Sequence, residues 1–157
     1  MPTSKESDCY STPPEFWRVL DEEFHFTRGP DGKPYDPVPR EPEGLRDGDG
    51  GGETPAWVRC YFMNPPYSDV EPWLKKAFFD YSRGIQVVVL LKDDRSTLWF
   101  ARWVWPYAEP RPVLANVEKG TSGRIKFNGV SGGNFASMVA VYTPGVVPAR
   151  GRAYIAP

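Results

Sequence analysis

Residues 57 to 91 read WVRCYFMNPPYSDVEPWLKKAFFDYSRGIQVVVLL, and their pattern predicts the central part of the fold. Its first part, Trp57 to Met63, is rich enough in aromatic and β-branched residues to predict a buried strand. Apolar residues from Val70 to Tyr81 recur at helical spacing until Gly84. Ile85 to Leu91 is then an almost unbroken apolar run, which is typical of a strand inside a parallel sheet. The stretch therefore predicts one right-handed unit of strand, helix and strand.

The tetrapeptide Asn64-Pro65-Pro66-Tyr67 joins the first strand to the helix. It should lie at the carboxyl end of the strand, where open α/β sheets bind their ligands. Ser68 followed by Glu71 predicts a capping box that opens the helix. In a chain with 18 prolines, the tetrapeptide by itself is also consistent with a rigid turn.

These residue types suit a pocket for a planar amine. The lone pair of an aromatic amine is delocalised into its ring, so a transferase must draw the nitrogen toward tetrahedral geometry. The side-chain oxygen of Asn64 and the backbone carbonyl of Pro65 could accept hydrogen bonds from the two N–H groups, and Tyr67 could stack on the ring. Such contacts favour the pyramidal transition state over the flat ground state.

Length and charge narrow the choice of partner. A chain of 157 residues predicts one domain, and its net charge of −1 favours no particular ligand. Residues 1 to 56 hold 6 Lys and Arg against 13 Asp and Glu, whereas residues 57 to 157 hold 13 against 7. The basic half suits an anionic substrate, and ordinary solvated charge explains it equally well.

Three cations in the basic half are candidates for contacts with nucleic acid. Arg95 ends the run Lys92-Asp93-Asp94-Arg95, whose charges are better explained as capping the next helix. Arg124 and Lys126 would share one face of a strand, which is either a phosphate-contacting edge or an ordinary amphipathic strand.

Several classes of site are not expected. Cys9 and Cys60 have no metal or redox spacing, and His25 is the only histidine. The sequence therefore predicts no metal site and no histidine-based triad, and Phe24-His25-Phe26 reads as a packed strand. The longest apolar run is too short for a membrane span and the N-terminus is polar, so a cytoplasmic protein is predicted.

The remaining segments complete a predicted α/β order. Thr12 is expected to cap a helix that starts at Pro13, with Glu15 closing a capping box. Residues 40 to 56 have no periodicity and predict a mobile loop, and the tail from residue 143 is rich in Pro and Gly. The other predicted elements are a helix over Ser96 to Trp105 and strands over Arg111 to Val117, Gly123 to Phe127 and Phe135 to Tyr142.

The order of these pieces resembles the phage-type DNA N6-adenine methyltransferase family, often called phage Dam-like. The resemblance covers roughly residues 8 to 142 and rests on a series of short motifs in shared order. These are Asp8 to Pro14, Phe24 to Phe26, Tyr35-Asp36-Pro37-Val38-Pro39, Glu43-Gly44-Leu45 with Trp57, Asn64 to Ser68, Trp73, Lys76-Ala77, Val87 to Leu91, Thr97 to Phe100 and Gly123 to Phe127.

The resemblance implies a class I, Rossmann-like methyltransferase fold: a minimal single domain with a mostly parallel sheet and a core of about residues 8 to 142. It implies S-adenosylmethionine (SAM) as methyl donor and adenine in DNA as acceptor. Site residues carried over by position are Tyr10, Thr12, Pro13, Asp36 and Glu43 for the cofactor, Asn64, Pro65, Pro66 and Tyr67 for catalysis, and Tyr67 with Ser68 for the flipped base.

The chain departs from the family pattern in ways that leave other readings open. The glycine-rich turn that many class I methyltransferases place after their first strand is absent near Asp36, and Lys92 stands where the family usually has proline. The alternatives are a SAM-dependent methyltransferase of RNA adenine or protein glutamine, and a non-catalytic nucleic-acid-binding relative. The protein is expected to be a monomer or a homodimer in a bacterial or phage-infected cell.

Overall fold

The protein was analysed as a computed structural model, which describes residues 12–38, 52–125 and 135–157. Within these residues, no helix is both long and apolar enough to cross a membrane. The helical elements are α1 (Pro14–Phe24), a 3-10 turn (Tyr67–Asp69), α2 (Glu71–Ser82) and a π-helical turn (Phe100–Val104). The strands are β1 (Cys60–Met63), β2 (Gln86–Lys92), β3 (Glu109–Leu114), β4 (Ser137–Tyr142) and β5 (Tyr154–Ile155).

The strands form one mixed sheet in the order β1-β2-β4-β3-β5. β1 and β2 are parallel and are joined through α2, as the sequence predicts for residues 57 to 91. β4, however, lies antiparallel to both β2 and β3, and β3 is parallel to β5. The predicted mostly parallel sheet is therefore corrected to a mixed one. Antiparallel strands need no crossover helix, so β4 can follow β3 in the chain and pair between β3 and β2.

Both faces of the sheet are covered, which explains the unbroken apolar sequence of β2. Successive side chains of a strand point to opposite faces, so a strand with two covered faces is apolar throughout. One face packs with α2 and the π-helical turn, and the other packs with α1. On the α2 side lie Tyr61, Met63, Val87, Val89 and Leu91, and on the α1 side lie Cys60, Phe62, Val88 and Leu90.

The segment after α1 covers the outer edge of β1 without forming the strand predicted over Phe24 to Phe26. The helix runs through Phe24, and His25 then adopts a left-handed conformation with φ 53°. Thr27 donates its N–H to the carbonyl of Cys60 at 2.9 Å. Its hydroxyl oxygen accepts from the N–H groups of Arg59 and Cys60, each at 3.0 Å. A threonine side chain thus supplies part of the edge pairing.

Neither predicted capping box forms. α1 starts at Pro14 behind a cap residue, Pro13, that makes no side-chain cap bond. Ser68 lies in the 3-10 turn, and the carboxylate of Glu71 accepts instead from the indole N–H of Trp103 at 3.1 Å. Prolines without an N–H occupy the first turn of both helices, which removes one donor that a cap would otherwise satisfy.

Later elements are shorter than predicted or different in type. The helix expected over residues 96 to 105 is a π-helical turn, in which Trp105 donates its N–H to the Phe100 carbonyl at 2.9 Å. Residues 123 to 125 are not in a strand, and 126 and 127 lie outside the described residues. The tail contributes β5, which pairs with Val113 and Leu114, so the sheet extends beyond residue 142.

A buried polar cluster attaches the start of the 52–125 region to α2. Lys76 donates to the Thr54 hydroxyl at 2.6 Å and to the Gly52 carbonyl at 2.8 Å. Asp80 accepts from the hydroxyls of Thr54 at 2.7 Å and Tyr61 at 2.6 Å. Residues 40 to 51 of the predicted mobile loop lie outside the described residues. Thr54, which also belongs to the predicted loop, is buried, and its hydroxyl donates to Asp80 and accepts from Lys76.

Substitution of Lys76 tests the importance of this cluster. Lys76 and Asp80 form an ion pair at 3.5 Å with side chains that are 6% and 2% exposed. We expect Lys76→Ala to lower the free energy of unfolding by about 3 kcal/mol, because it leaves a buried carboxylate without its counter-charge. Urea denaturation measures the change. The neighbouring exposed Lys75→Ala is the control, and equal losses in both variants would contradict a special role for Lys76.

Candidate active site

Three strand ends bring the candidate site together. β1 ends at Met63, directly before Asn64, and its parallel neighbour β2 ends at Lys92. β4 runs the other way, and its first residue, Ser137, lies opposite Lys92. Asp93 donates its N–H to the carbonyl of Ala136 at 2.8 Å, which fixes the approach to β4. The carboxyl ends of two strands and the amino end of a third thus share one edge of the sheet.

Asn64 is the buried polar residue of this edge, with only 1% of its surface exposed. Its amide nitrogen donates to the Thr12 hydroxyl at 3.2 Å, and its amide oxygen accepts from the Tyr67 hydroxyl at 2.8 Å. These two bonds give the amide one orientation.

The rest of the tetrapeptide forms a stiff turn around this amide. Pro65 is buried, and Pro66 at φ −59° leads into the 3-10 turn that begins at Tyr67. The Tyr67 ring meets the ring of Phe135 edge to face, with centroids 5.1 Å apart and planes at 88°. A cavity of about 150 Å³ opens beside it, lined by Tyr67, Val70, Leu91, Lys92, Asp94 and Trp99.

Of the residues predicted to bind the cofactor, Thr12 and Pro13 lie at the site. Thr12 contacts Asn64, and Pro13 lines a cavity of about 360 Å³ between the start of α1 and residues 119 to 125. Asp36 is exposed, and its carboxylate accepts from the N–H of Val38 at 3.0 Å, as in an Asp-Pro turn. Tyr10 and Glu43 lie outside the described residues.

The predicted nucleic-acid contacts are dispersed. Ser68 is exposed in the 3-10 turn, and Arg124 lines the same 360 Å³ cavity as Pro13. Arg95 pairs with Asp93 at 2.9 Å and lines a different groove, which it shares with Trp105. Lys126 lies outside the described residues.

The predicted capping role of the charged run after β2 has structural support. The Asp94 carboxylate accepts from the Ser96 hydroxyl at 3.0 Å, and its backbone carbonyl accepts from the Thr97 hydroxyl at 2.9 Å. The Thr97 hydroxyl oxygen in turn accepts from the N–H of Phe100 at 3.3 Å, at the start of the π-helical turn.

Sequence reasoning missed two aromatic residues of the site, Phe135 and Trp99. The sequence predicts Phe135 only as part of a strand, and Trp99 only as part of a helix and of the Thr97 to Phe100 motif, with no site role for either. Phe135 could be placed at the site only from the direction of β4. A residue that precedes a strand antiparallel to β2 must lie near the carboxyl end of β2. Without the direction of β4, the sequence could not place Phe135 beside Tyr67.

The Cys60 thiol, at the start of β1, is not suited to nucleophilic attack. Burial, aided by the charge of Asp21, raises the pKa of the Cys60 thiol to about 12. A thiol protonated over the physiological range is a poor nucleophile. In the described ranges, no group of three or more His, Cys, Asp or Glu side chains is placed to hold a metal ion.

Comparisons with known proteins point to one family. A family model described as DNA N-6-adenine-methyltransferase (Dam) matches residues 54–143, more than half of the chain. The DNA N-6-adenine-methyltransferase of Escherichia phage T1 is 30% identical over 93 residues. That alignment covers 51% of this chain and 39% of the phage protein, so the match spans well under two thirds of the relative. No solved structure matches the chain.

The thiol of Cys60 provides a test of the packing at β1. At pH 9 we expect the native protein to resist alkylation at Cys60 by iodoacetamide, because its raised pKa of about 12 keeps the thiol neutral. In urea the pKa returns to an ordinary value near 8.5 and the same cysteine should react readily. Peptide mass spectrometry distinguishes Cys60 from Cys9. Rapid native labelling of Cys60 would contradict the buried position of this side chain.

Proposed function

This chain belongs to the DNA N-6-adenine-methyltransferase (Dam) family, and on that premise we propose that it transfers a methyl group from SAM to the N6 amine of adenine in DNA. The observation that carries the proposal is the buried amide of Asn64, oriented by Thr12 and Tyr67 at the end of β1. When bound, SAM supplies an electrophilic methyl group on a sulfonium. The protein must then make a weakly nucleophilic amine reactive.

Asn64 and Pro65 are suited to that task. In the proposed complex the Asn64 amide oxygen accepts one N–H of the target amine, and the carbonyl of Pro65 accepts the other. Two acceptors aimed at the amine draw its lone pair out of conjugation with the ring, which stabilises the transition state more than the ground state. With the methyl group transferred from the sulfonium, the nitrogen would become positive, and the Asn64 and Pro65 oxygens would stabilise its N–H groups until one proton passes to solvent.

Tyr67 is proposed to hold the base itself. Adenine in a duplex must leave the stack to reach this edge of the sheet, at a cost of a few kcal/mol. Stacking on an aromatic ring offsets part of that cost. The 150 Å³ cavity beside Tyr67, with Trp99 in its wall, would receive the base, and the Tyr67 hydroxyl connects this cavity to the Asn64 amide.

The 360 Å³ cavity fits the amino acid part of SAM. Its lining includes Lys119 and Arg124, which suit a carboxylate, and Glu15, which suits an ammonium group. Thr121 also lines it, and its buried hydroxyl has no hydrogen-bond partner among the described residues. Through Pro13 the cavity adjoins Thr12, which contacts Asn64, so donor and acceptor would meet at that amide. The roles of Tyr10, Asp36 and Glu43 remain predictions.

One experiment separates this function from its alternatives. Labelled methyl transfer from SAM is measured with duplex DNA, RNA and protein as acceptors, and the DNA product is digested to identify the modified base. N6-methyladenine in DNA supports the proposal, whereas label in RNA adenine or protein glutamine would replace it. Absence of SAM binding by calorimetry would favour a non-catalytic relative. Sequencing of methylated DNA from an expressing host then gives the recognition sequence.

Asn64 is the first residue to substitute. We expect Asn64→Ala to reduce methyl transfer by at least about 100-fold, because an acceptor that acts in the transition state is lost. SAM binding, measured by calorimetry, should be largely unchanged. Asn64→Asp keeps an acceptor oxygen and should retain more activity than Asn64→Ala. Wild-type activity in Asn64→Ala would refute the role of this side chain.

Two substitutions of Tyr67 distinguish the stacking role of its ring from the hydrogen bond of its hydroxyl. Tyr67→Ala should weaken binding of the target base by about 1 to 3 kcal/mol, the usual value of one aromatic stack. Tyr67→Phe keeps the ring and removes the hydroxyl that donates to Asn64, so it should bind DNA nearly as well as the wild type. The comparison is made by fluorescence anisotropy with duplex DNA and by steady-state kinetics. Unchanged binding and rate in Tyr67→Ala would exclude the stacking role.

A further inference from the structure

Lys92 occupies a special place at the candidate active site. It is the last residue of β2 and is exposed, and it lines the 150 Å³ cavity beside Tyr67. Its neighbour along the sheet edge is the end of β1, where Asn64 begins the tetrapeptide. Any group that enters the cavity therefore passes close to this ammonium.

The ammonium lies over the aromatic pair of the site. Its nitrogen is 4.9 Å from the ring centroid of Phe135 and 5.9 Å from that of Tyr67. Ring faces attract a cation and thereby favour this position of the flexible side chain. They do not neutralise its charge, so the cation remains available to an anion at the mouth of the cavity.

Two carboxylates follow Lys92 along the chain, and that of Asp94 also lines the cavity. Asp93 pairs with Arg95 at 2.9 Å, and the Asp94 carboxylate accepts from the Ser96 hydroxyl at 3.0 Å. Among the ion pairs within residues 12–38, 52–125 and 135–157, none includes Lys92. In the run from 92 to 95, Lys92 is thus the cation without a carboxylate partner, and it is the one that faces the site.

We propose that Lys92 binds a phosphate that flanks the target nucleotide. The inference rests on the proposed function, because only a nucleotide rotated out of the duplex brings its own phosphates to this edge. The base would lie against Tyr67 inside the cavity, and the phosphate would remain at the mouth, within reach of the long lysine side chain. A lysine acts there as a mobile point charge, which suits an anion that arrives together with the base.

The test compares Lys92→Gln with Lys92→Arg and with a matched control, Lys75→Gln. Lys75 is also exposed, lies 5.9 Å from an aromatic ring, that of Trp103, and has no carboxylate partner in the described residues, but it belongs to α2 outside the site. Duplex DNA binding is measured by anisotropy over a series of salt concentrations. Steady-state methyl transfer gives KM for DNA and kcat.

For Lys92→Gln we expect the negative slope of log K against log salt concentration to become shallower by about 0.9, the value for one lost phosphate contact. KM for DNA should rise while kcat at saturating DNA and the affinity for SAM are kept, and Lys92→Arg should restore both slope and KM. Lys75→Gln should match the wild type.

The outcomes separate this inference from the function on which it rests. If the wild type methylates DNA and Lys92→Gln shows the wild-type slope and KM, the phosphate contact is refuted and the function stands. A loss of kcat alone would also refute the contact, since it would place Lys92 in the chemical step. If the wild type neither binds nor methylates DNA, both proposals fall together.

Discussion

β2 pairs with one parallel and one antiparallel neighbour, and these two registers determine how the rest of the sheet is arranged. β2 is parallel to β1 and antiparallel to β4, and its interior residues are fully buried between two helical layers. Because the register on both sides is fixed by this burial, a one-residue slip would move apolar side chains to the wrong face. The same registers bring Asn64, Lys92 and Phe135 to one edge, so the packing of one strand also assembles the candidate site.

Local sequence predicts those parts of the fold whose signals are local. The spacing from residue 57 to 91 predicts a parallel strand pair with α2 between, because periodicity and the glycine at 84 are short-range features. The direction of β4 is a long-range property, and no period encodes it. The strand predicted over Phe24 to Phe26 is wrong for a backbone reason. Alternating aromatic residues are typical of a strand, but the left-handed conformation of His25 is incompatible with one.

The candidate site was predicted in the same partial way. Asn64 to Tyr67 stand out in the sequence because the proposed acceptors and the proposed stacking ring are contiguous residues. Thr12 was assigned to a helix cap, which is the usual use of a threonine before Pro-Pro, and only the folded chain shows that its hydroxyl accepts from an amide 52 residues away. Thr12 was also assigned to the cofactor by resemblance, and its position beside Asn64 is compatible with that role.

The cluster around Lys76 has a consequence for how such a chain can change over evolution. The hydroxyl of Thr54 lies between Lys76 and Asp80, and Asp80 also accepts from Tyr61. Loss of one member leaves a buried polar group of another without its partner. A change at one of these positions should therefore be tolerated only with a compensating change at another, which links the sequence of α2 to that of the chain before β1.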